Sequence, residues 1–213
     1  MTSRSTSNSS NAKTLLIWLG GAIGVIGLVA VVLASGTSSG GGADHPDLQG
    51  APVVTGEALA PLTQGAVSDP ESGSPVPEVA GADFDDEPVS IENNGKAKMI
   101  IFLAHWCPNC RAEVPEVTQW LAANEVPENV EIISVATSIT RGRENFPPSD
   151  WLQDEDWPVP VVLDSAISEV GVAYGVSLFP LWAMVDPDGN LIQRISGAGQ
   201  VDMAFWTQTL AAL

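Results

Sequence analysis

The chain has 213 residues and a formal net charge of −18 at pH 7, and its length allows one membrane span, one linker and one globular domain, but no second full domain. All 26 acidic residues lie beyond residue 35, where only six basic residues occur, so this part carries a net charge of −20. Such a charge argues against nucleic acid or anionic lipid as a ligand.

The first predicted element is a transmembrane helix over residues 14–34. This run has no charged residue, and as a helix it would rise about 30 Å, enough to cross a bilayer's hydrocarbon core. Arg4 and Lys13 precede it and the next basic residue is Lys96, so we expect residues 1–13 in the cytoplasm and the rest outside. A cleaved signal peptide is the alternative, although the run exceeds the usual apolar region of about 7–15 residues. Either way, the remainder is exported.

Residues 35–74 are predicted to form a flexible linker. They are rich in Gly, Ser, Ala and Pro and contain no aromatic residue, so they offer little apolar surface to offset the entropy lost on ordering. Aromatic and β-branched residues become frequent after this point, and we expect the globular domain over residues 75–213.

Alternating strands and helices are predicted within that domain from its hydrophobic periodicity. The predicted strands are 98–104, 130–137, 159–163, 181–185 and 191–196, and the predicted helices begin at Pro108, 149, 167 and 201. The turn Asp186–Gly189 joins the last two strands as a hairpin, because it has Pro at its second position and Gly at its fourth. This order indicates an α/β fold with a sheet between layers of helices.

The two cysteines of the chain, Cys107 and Cys110, lie where the first buried strand of this domain meets a helix. Unpaired backbone N–H groups and the positive end of the helix dipole favour a thiolate at Cys107, which makes it a nucleophile toward a substrate disulfide. Cys110 lies three residues on and would face inward, where it can resolve the resulting mixed disulfide. The spacing therefore predicts thiol–disulfide exchange.

Two other uses of a cysteine pair are a zinc site and a structural disulfide. A zinc site needs about four ligands, and the chain has only His45 and His105 as histidines. A purely structural disulfide would close a very short loop and constrain little chain entropy. We therefore favour redox chemistry, which needs only the two sulfurs, and expect no metal and no organic cofactor.

The residues around the pair resemble a known family. The run Phe102–Cys110, with sequence FLAHWCPNC, resembles the signature of the thioredoxin superfamily. Pro75–Glu78, Arg111–Pro115, the single Pro180 and the Asp186–Gly189 turn resemble its TlpA/ResA-like extracytoplasmic branch. The resemblance implies a thioredoxin fold, a three-layer α/β/α domain with a central mixed sheet, here preceded by one transmembrane helix.

The resemblance also implies further site residues. Pro180 corresponds to a cis-proline that packs against the cysteines, with Phe179 and Trp106 beside the substrate groove; an ordinary trans proline at the start of an edge strand is the alternative. Glu113 corresponds to an acidic residue that exchanges a proton with the buried thiol of Cys110. Its spacing of three residues puts it on the same helix face, although a solvated glutamate near a helix N-terminus is also common.

The resemblance implies an enzyme, a membrane-anchored thiol–disulfide oxidoreductase that acts on exported thiol or disulfide proteins. Membership of this branch favours a reductase, as in cytochrome c maturation, supplied with electrons by a membrane partner. An oxidant of newly exported proteins is the first alternative, because Pro108 and Asn109 between the cysteines fix no potential. A non-catalytic binding module, tethered to the membrane, is the second.

Overall fold

The computed structural model describes residues 49–63, 65 and 68–213. The predicted cytoplasmic N-terminus, the predicted span over 14–34 and the first part of the predicted linker lie outside these residues. Of the helices that are described, none combines the length and the apolar character that crossing a bilayer requires.

Eight strands and four helices follow one another in the described part of the chain. They are β1 (Val53–Thr55), β2 (Glu78–Ala82), β3 (Pro88–Ile91), β4 (Ala97–Leu103), α1 (Pro108–Ala123), β5 (Val130–Ala136), α2 (Pro148–Asp154), β6 (Val161–Leu163), α3 (Glu169–Ala173), β7 (Leu181–Val185), β8 (Leu191–Ser196) and α4 (Met203–Ala211).

A five-stranded mixed sheet in the order β6-β5-β4-β7-β8 forms the centre of the domain. Strands β4, β5 and β6 run parallel, whereas β7 lies antiparallel to β4 and to β8. Every residue of β4 and β7 is buried, which explains their continuous apolar sequences. The expected mixed sheet is therefore confirmed.

Alternate side chains of the sheet face two separate clusters. Ile101 and Trp182 face the side that carries α1 and α4, together with both cysteines. Ile100 and Phe102 face the opposite side, where residues of α3 and of a second, smaller sheet cover them. This arrangement gives the layered α/β architecture that was expected, and it puts the cysteines at the sheet–α1 boundary.

The smaller sheet, formed by β1, β2 and β3 in antiparallel order, was not predicted. Val53 of β1 lies inside the region that was assigned to the linker, yet it pairs with Ala80 of β2. Leu59 is buried against the domain, and its N–H donates to the Ala173 carbonyl at 2.8 Å. The boundary predicted at residue 75 is thus wrong for these residues, because Val53 and Leu59 already pack with the domain.

A buried ion pair also holds this N-terminal segment to the domain. The Arg194 guanidinium on β8 donates to both carboxylate oxygens of Asp69 at 2.8 Å, and both side chains are almost fully buried. Arg194 also donates to the carbonyls of Ala60 and Tyr174. This segment is held to the domain partly by polar contacts. A boundary between linker and domain that is drawn from aromatic content alone therefore falls too late in the sequence.

Candidate active site

The cysteine pair lies at the carboxyl end of β4, at the start of α1. Cys107 occupies the position before the helix, and its carbonyl accepts the first helical hydrogen bond, from the Arg111 N–H at 3.1 Å. Pro108 fits the first helical position because its missing N–H would have no partner there. The sequence thus turns from strand to helix within four residues, and both thiols are held at this junction.

The two thiols differ in accessibility. Cys107 is 8% exposed, whereas Cys110 is fully buried. Burial raises the pKa of the Cys110 thiol well above its ordinary value, and Cys107 and the charge of Glu113 add to this rise, while a hydrogen bond from the Ala104 N–H at 3.5 Å opposes it. Cys107 is therefore the thiol that a substrate can reach first, and Cys110 needs help to lose its proton.

Glu113 lies on α1 one turn beyond Cys110 and is buried. Its Oε1 accepts from the indole N–H of Trp182 at 2.9 Å, and its Oε2 accepts from the Gly199 N–H at 2.7 Å. Two donors suit a carboxylate, which accepts but does not donate. Glu113 also borders a cavity of about 190 Å³ that the exposed side chain of Glu116 lines as well.

Pro180 follows a cis peptide bond, as the resemblance implies. The Phe179 carbonyl before it accepts from the Cys107 thiol, with 3.7 Å between the oxygen and Sγ. The backbone before Pro180 therefore faces the accessible cysteine, where an extended substrate segment could lie. Pro180 leads into β7, which is an interior strand of the sheet and not an edge strand.

Trp106 forms the other side of this surface. Its ring meets that of Phe179 edge to face, with 6.0 Å between centroids, and its indole N–H donates to the Ser138 carbonyl at 2.8 Å. The guanidinium of Arg143 lies over the Trp106 ring at 4.7 Å. Both aromatic rings are partly exposed, so they present an apolar surface next to Cys107.

His105 fixes the loop over residues 138–147 to this surface. Its Nε2 accepts from the Thr140 N–H at 3.1 Å, so Nδ1 carries the proton and donates to the Glu144 carbonyl at 2.7 Å. Burial lowers the pKa of His105, and the charge of Arg143 lowers it further. A neutral imidazole is required for this pair of contacts.

A metal centre needs several side-chain ligands that converge on one point. Within the described ranges, no three His, Cys, Asp or Glu residues converge as ligands.

Comparison with known families agrees with this geometry. Residues 71–205 match the Redoxin family, a stretch that includes the cysteine pair, Glu113 and Pro180. The chain belongs to the Redoxin family.

Two curated relatives of this redoxin are named for thiol–disulfide chemistry. The thiol-disulfide oxidoreductase ResA of Bacillus thuringiensis subsp. konkukian is 27% identical over 128 residues, which cover 60% of this chain and 70% of ResA. The thiol:disulfide interchange protein DsbE of Pseudomonas aeruginosa is 29% identical over 119 residues, which cover 56% of this chain and 60% of DsbE. The chain is accordingly an enzyme of the ResA and DsbE type, a thiol–disulfide oxidoreductase.

A solved structure supports the fold. The thiol:disulfide interchange protein of the thioredoxin family from Chlorobium tepidum superposes with a TM-score of 0.53 at 21% identity, covering 65% of this chain and 97% of that one. The thioredoxin-like fold of this redoxin is therefore confirmed.

Sequence reasoning missed two partners of Glu113. Trp182 is fully buried, and its indole N–H donates a hydrogen bond to the carboxylate. Trp182 pairs with Ile101 of β4, and paired residues of neighbouring strands lie on the same face of a sheet. This pairing could have suggested that Trp182 faces α1. The sequence gives no indication of the contact with Gly199, because only the backbone N–H of Gly199 donates to Glu113 and the two residues are 86 positions apart.

Proposed function

We propose that the chain is an exported thiol–disulfide oxidoreductase that reduces disulfides through Cys107 and Cys110. The observation that carries this proposal is the contrast between the two thiols. One faces the carbonyl before Pro180 at 3.7 Å, and the other is fully buried beside a carboxylate.

The reaction proceeds in two exchanges. The Cys107 thiolate attacks one sulfur of the substrate disulfide, the substrate S–S bond breaks, and the other substrate sulfur leaves as a thiolate that takes up a proton. The Cys110 thiolate then attacks the Cys107 sulfur of the mixed disulfide and releases the second substrate thiolate. The substrate gains two electrons and the enzyme is left with a Cys107–Cys110 disulfide.

Glu113 is proposed to take the proton of Cys110 before the second exchange. Glu113 lies one turn beyond Cys110 on the same helix, and its negative charge is one of the causes that raise the pKa of Cys110. The hydrogen bonds from Trp182 and Gly199 fix the carboxylate in place. The cavity that Glu113 shares with Glu116 offers a path by which the proton reaches solvent.

The substrate segment is proposed to lie extended along the backbone before Pro180, between Phe179 and Trp106. Partly exposed aromatic rings and an accessible main-chain carbonyl suit the recognition of an unfolded cysteine-containing segment, because the main chain supplies affinity for many sequences.

Residues 14–34 are proposed to anchor the protein in the membrane, with residues 1–13 in the cytoplasm and the redoxin domain outside. The uncharged apolar run and the basic residues before it support this topology. In this location the substrates would be exported thiol proteins, as in cytochrome c maturation. The Cys107–Cys110 disulfide would be reduced again by a membrane electron-transfer partner.

Reduction is the favoured direction because the resemblance to the TlpA/ResA-like branch implies it. Pro108 and Asn109 carry no charge and fix no potential, so the potential of the couple has to be measured.

The proposal is tested with the pre-reduced full chain and a peptide that contains one disulfide. We expect the peptide to be reduced and the enzyme to acquire a Cys107–Cys110 disulfide, both measured by mass spectrometry. Cys110→Ser should stop at a mixed disulfide on Cys107, and Cys107→Ser should show neither product. Equal peptide reduction by Cys107→Ser would overturn the proposal.

A further inference from the structure

Three arginines lie on the helix and the loop next to the accessible cysteine of this very acidic domain. They are Arg111 on α1 and Arg141 and Arg143 in the loop 138–147, and we call this set the arginine face. It contains half of the six basic residues that follow residue 35, against 26 acidic ones. The positive charge of the domain is therefore concentrated where the substrate must approach.

The other basic residues of the domain are already paired. Arg194 is buried with Asp69, while Lys96 and Lys98 lie at the opposite end of β4 and both contact Glu131. Within the arginine face, Arg111 pairs with Glu144 at 2.6 Å. Over the described part of the chain, Arg141 and Arg143 are thus the cations that contact no carboxylate.

Both unpaired guanidinium groups lie over aromatic rings, one on Trp106 of the active-site surface and one on Phe146, whose ring meets that of His105 edge to face. Arg143 lies over Trp106 at 4.7 Å and Arg141 over Phe146 at 5.4 Å. Stacking uses the face of a guanidinium and leaves its N–H edge free to bind a carboxylate with two parallel hydrogen bonds. Both residues are exposed, so their N–H groups are accessible to a partner.

The loop that carries these arginines is anchored at several points. His105 contacts the backbone of Thr140 and Glu144, and the Asn145 side-chain amide donates to the His105 carbonyl at 3.1 Å. The Trp106 indole holds the Ser138 carbonyl. Because His105 and Trp106 directly precede Cys107, these contacts hold the backbone that carries Arg141 and Arg143 next to the active site.

We propose that Arg141 and Arg143 bind an acidic segment next to the substrate disulfide, so that this site prefers exported proteins with Asp or Glu beside the reacting cysteine. This inference rests on the proposed function and names its substrate class. The remainder of the domain, with its excess of acidic residues, repels such a segment, and the arginine face orients the encounter toward Cys107.

Two matched disulfide peptides test the preference, one with Glu and one with Gln on both sides of each cysteine. The rate constant for reduction by the pre-reduced full chain should be larger for the Glu peptide at low salt. Raising the salt toward 0.2 M should reduce that preference, because the screening length then falls below about 10 Å.

Arg143→Gln should lower the ratio of the Glu-peptide rate to the Gln-peptide rate by about 2- to 5-fold, which is about what one exposed ion pair contributes. Arg141→Gln should act in the same way, and Arg143→Lys should retain part of the preference. Lys96→Gln is the matched control, since it removes the same charge at the far end of β4, about 23 Å of strand from the site. It should change neither rate.

The inference is overturned if the wild-type chain reduces both peptides equally fast, if Arg143→Gln slows both peptides alike, or if Lys96→Gln has the same effect as Arg143→Gln. Calorimetric binding of cysteine-free Glu and Gln peptides to the Cys107→Ser chain separates this inference from the proposed function. If the wild-type chain reduces neither peptide, the proposed function fails. Tighter binding of the Glu peptide would then still support the binding of acidic segments by the arginine face. Equal binding of the two peptides contradicts it.

Discussion

Replacing Glu113 with Gln is expected to slow the second exchange and spare the first. The substitution keeps the shape of the side chain but removes its capacity to accept a proton. Proton transfer by a positioned group contributes typically about 10²- to 10⁴-fold to a rate, and Cys110 depends on it because burial raises its pKa well above the ordinary value. We therefore expect resolution to slow by about 10²-fold or more at neutral pH.

The same substitution also has a calculable effect on stability. Both native contacts of Glu113 come from N–H donors, Trp182 and Gly199, whereas Gln offers one acceptor oxygen and one amino group. One donor is left without an acceptor, which costs about 1–3 kcal/mol when the group is buried. The variant should therefore be less stable but folded.

Stopped-flow reaction with an aromatic disulfide reagent separates the two exchanges. Attack by Cys107 releases one coloured thiolate, and resolution by Cys110 releases the second. In Glu113→Gln the first release should keep its rate, and the second should be slow at neutral pH and recover in alkaline solution. Glu116→Gln is the control, since it lies on the same helix and lines the same cavity without contacting Trp182 or Gly199. An unchanged second release in Glu113→Gln would refute the proton-transfer role.

Three further predictions concern stability and the support of the site. Arg194→Met leaves Asp69 buried without its partner and should destabilise the domain by about 3–5 kcal/mol. The midpoint of thermal unfolding should then fall by about 6–20 °C, and an unchanged midpoint would contradict a stabilising role of this ion pair. Burial alone raises the pKa of Asp69, but the hydrogen bonds and charge of Arg194 outweigh it and lower the pKa below its ordinary 3.8. The stability that Asp69 contributes is therefore complete above about pH 4 and is lost as the pH falls through the lower, folded-state pKa, so that acid unfolding should be steeper in the wild type than in Asp69→Asn. Trp182→Phe keeps a buried ring but removes one donor to Glu113; it should slow the second coloured release several-fold, and a slower first release instead would mean that the active-site surface itself had changed.

The strand and helix order from β4 onward could be predicted because each element carries its own local signal. The apolar run of β4, the Pro108 helix start and the Asp186–Gly189 turn each depend on residues close in sequence. The Gly189 N–H donates to the Asp186 carbonyl at 3.0 Å, as the hairpin prediction requires. Local periodicity is therefore sufficient for this part of the fold.

The N-terminal part of the domain could not be predicted in the same way. β1 has three residues, and its pairing with β2 depends on a partner about 25 residues away. Asp69 looks like an ordinary linker residue until Arg194, 125 positions later, is known to lie beside it. Contacts between residues this far apart in sequence produce no hydrophobic periodicity in either segment.

The same distinction between local signals and long-range contacts applies to the active site. Cys107, Cys110 and Glu113 are close in sequence, so their spacing at the start of one helix is a local signal that could be recognised. The contact between Cys107 and the Phe179 carbonyl spans 72 residues, and only the family resemblance of Pro180 suggested it. The loop held by His105 was not foreseen at all, because its contacts are mostly to backbone atoms.

The reduction potential of the Cys107/Cys110 couple tests the central claim most directly. The full chain would be equilibrated against dithiothreitol or glutathione mixtures, and the fraction of disulfide measured by thiol labelling. We predict reversible cycling with a potential near that of thioredoxin, about −270 mV. A value near about −120 mV would make the protein an oxidant and contradict the reducing direction, and a pair that does not cycle would contradict the exchange chemistry itself.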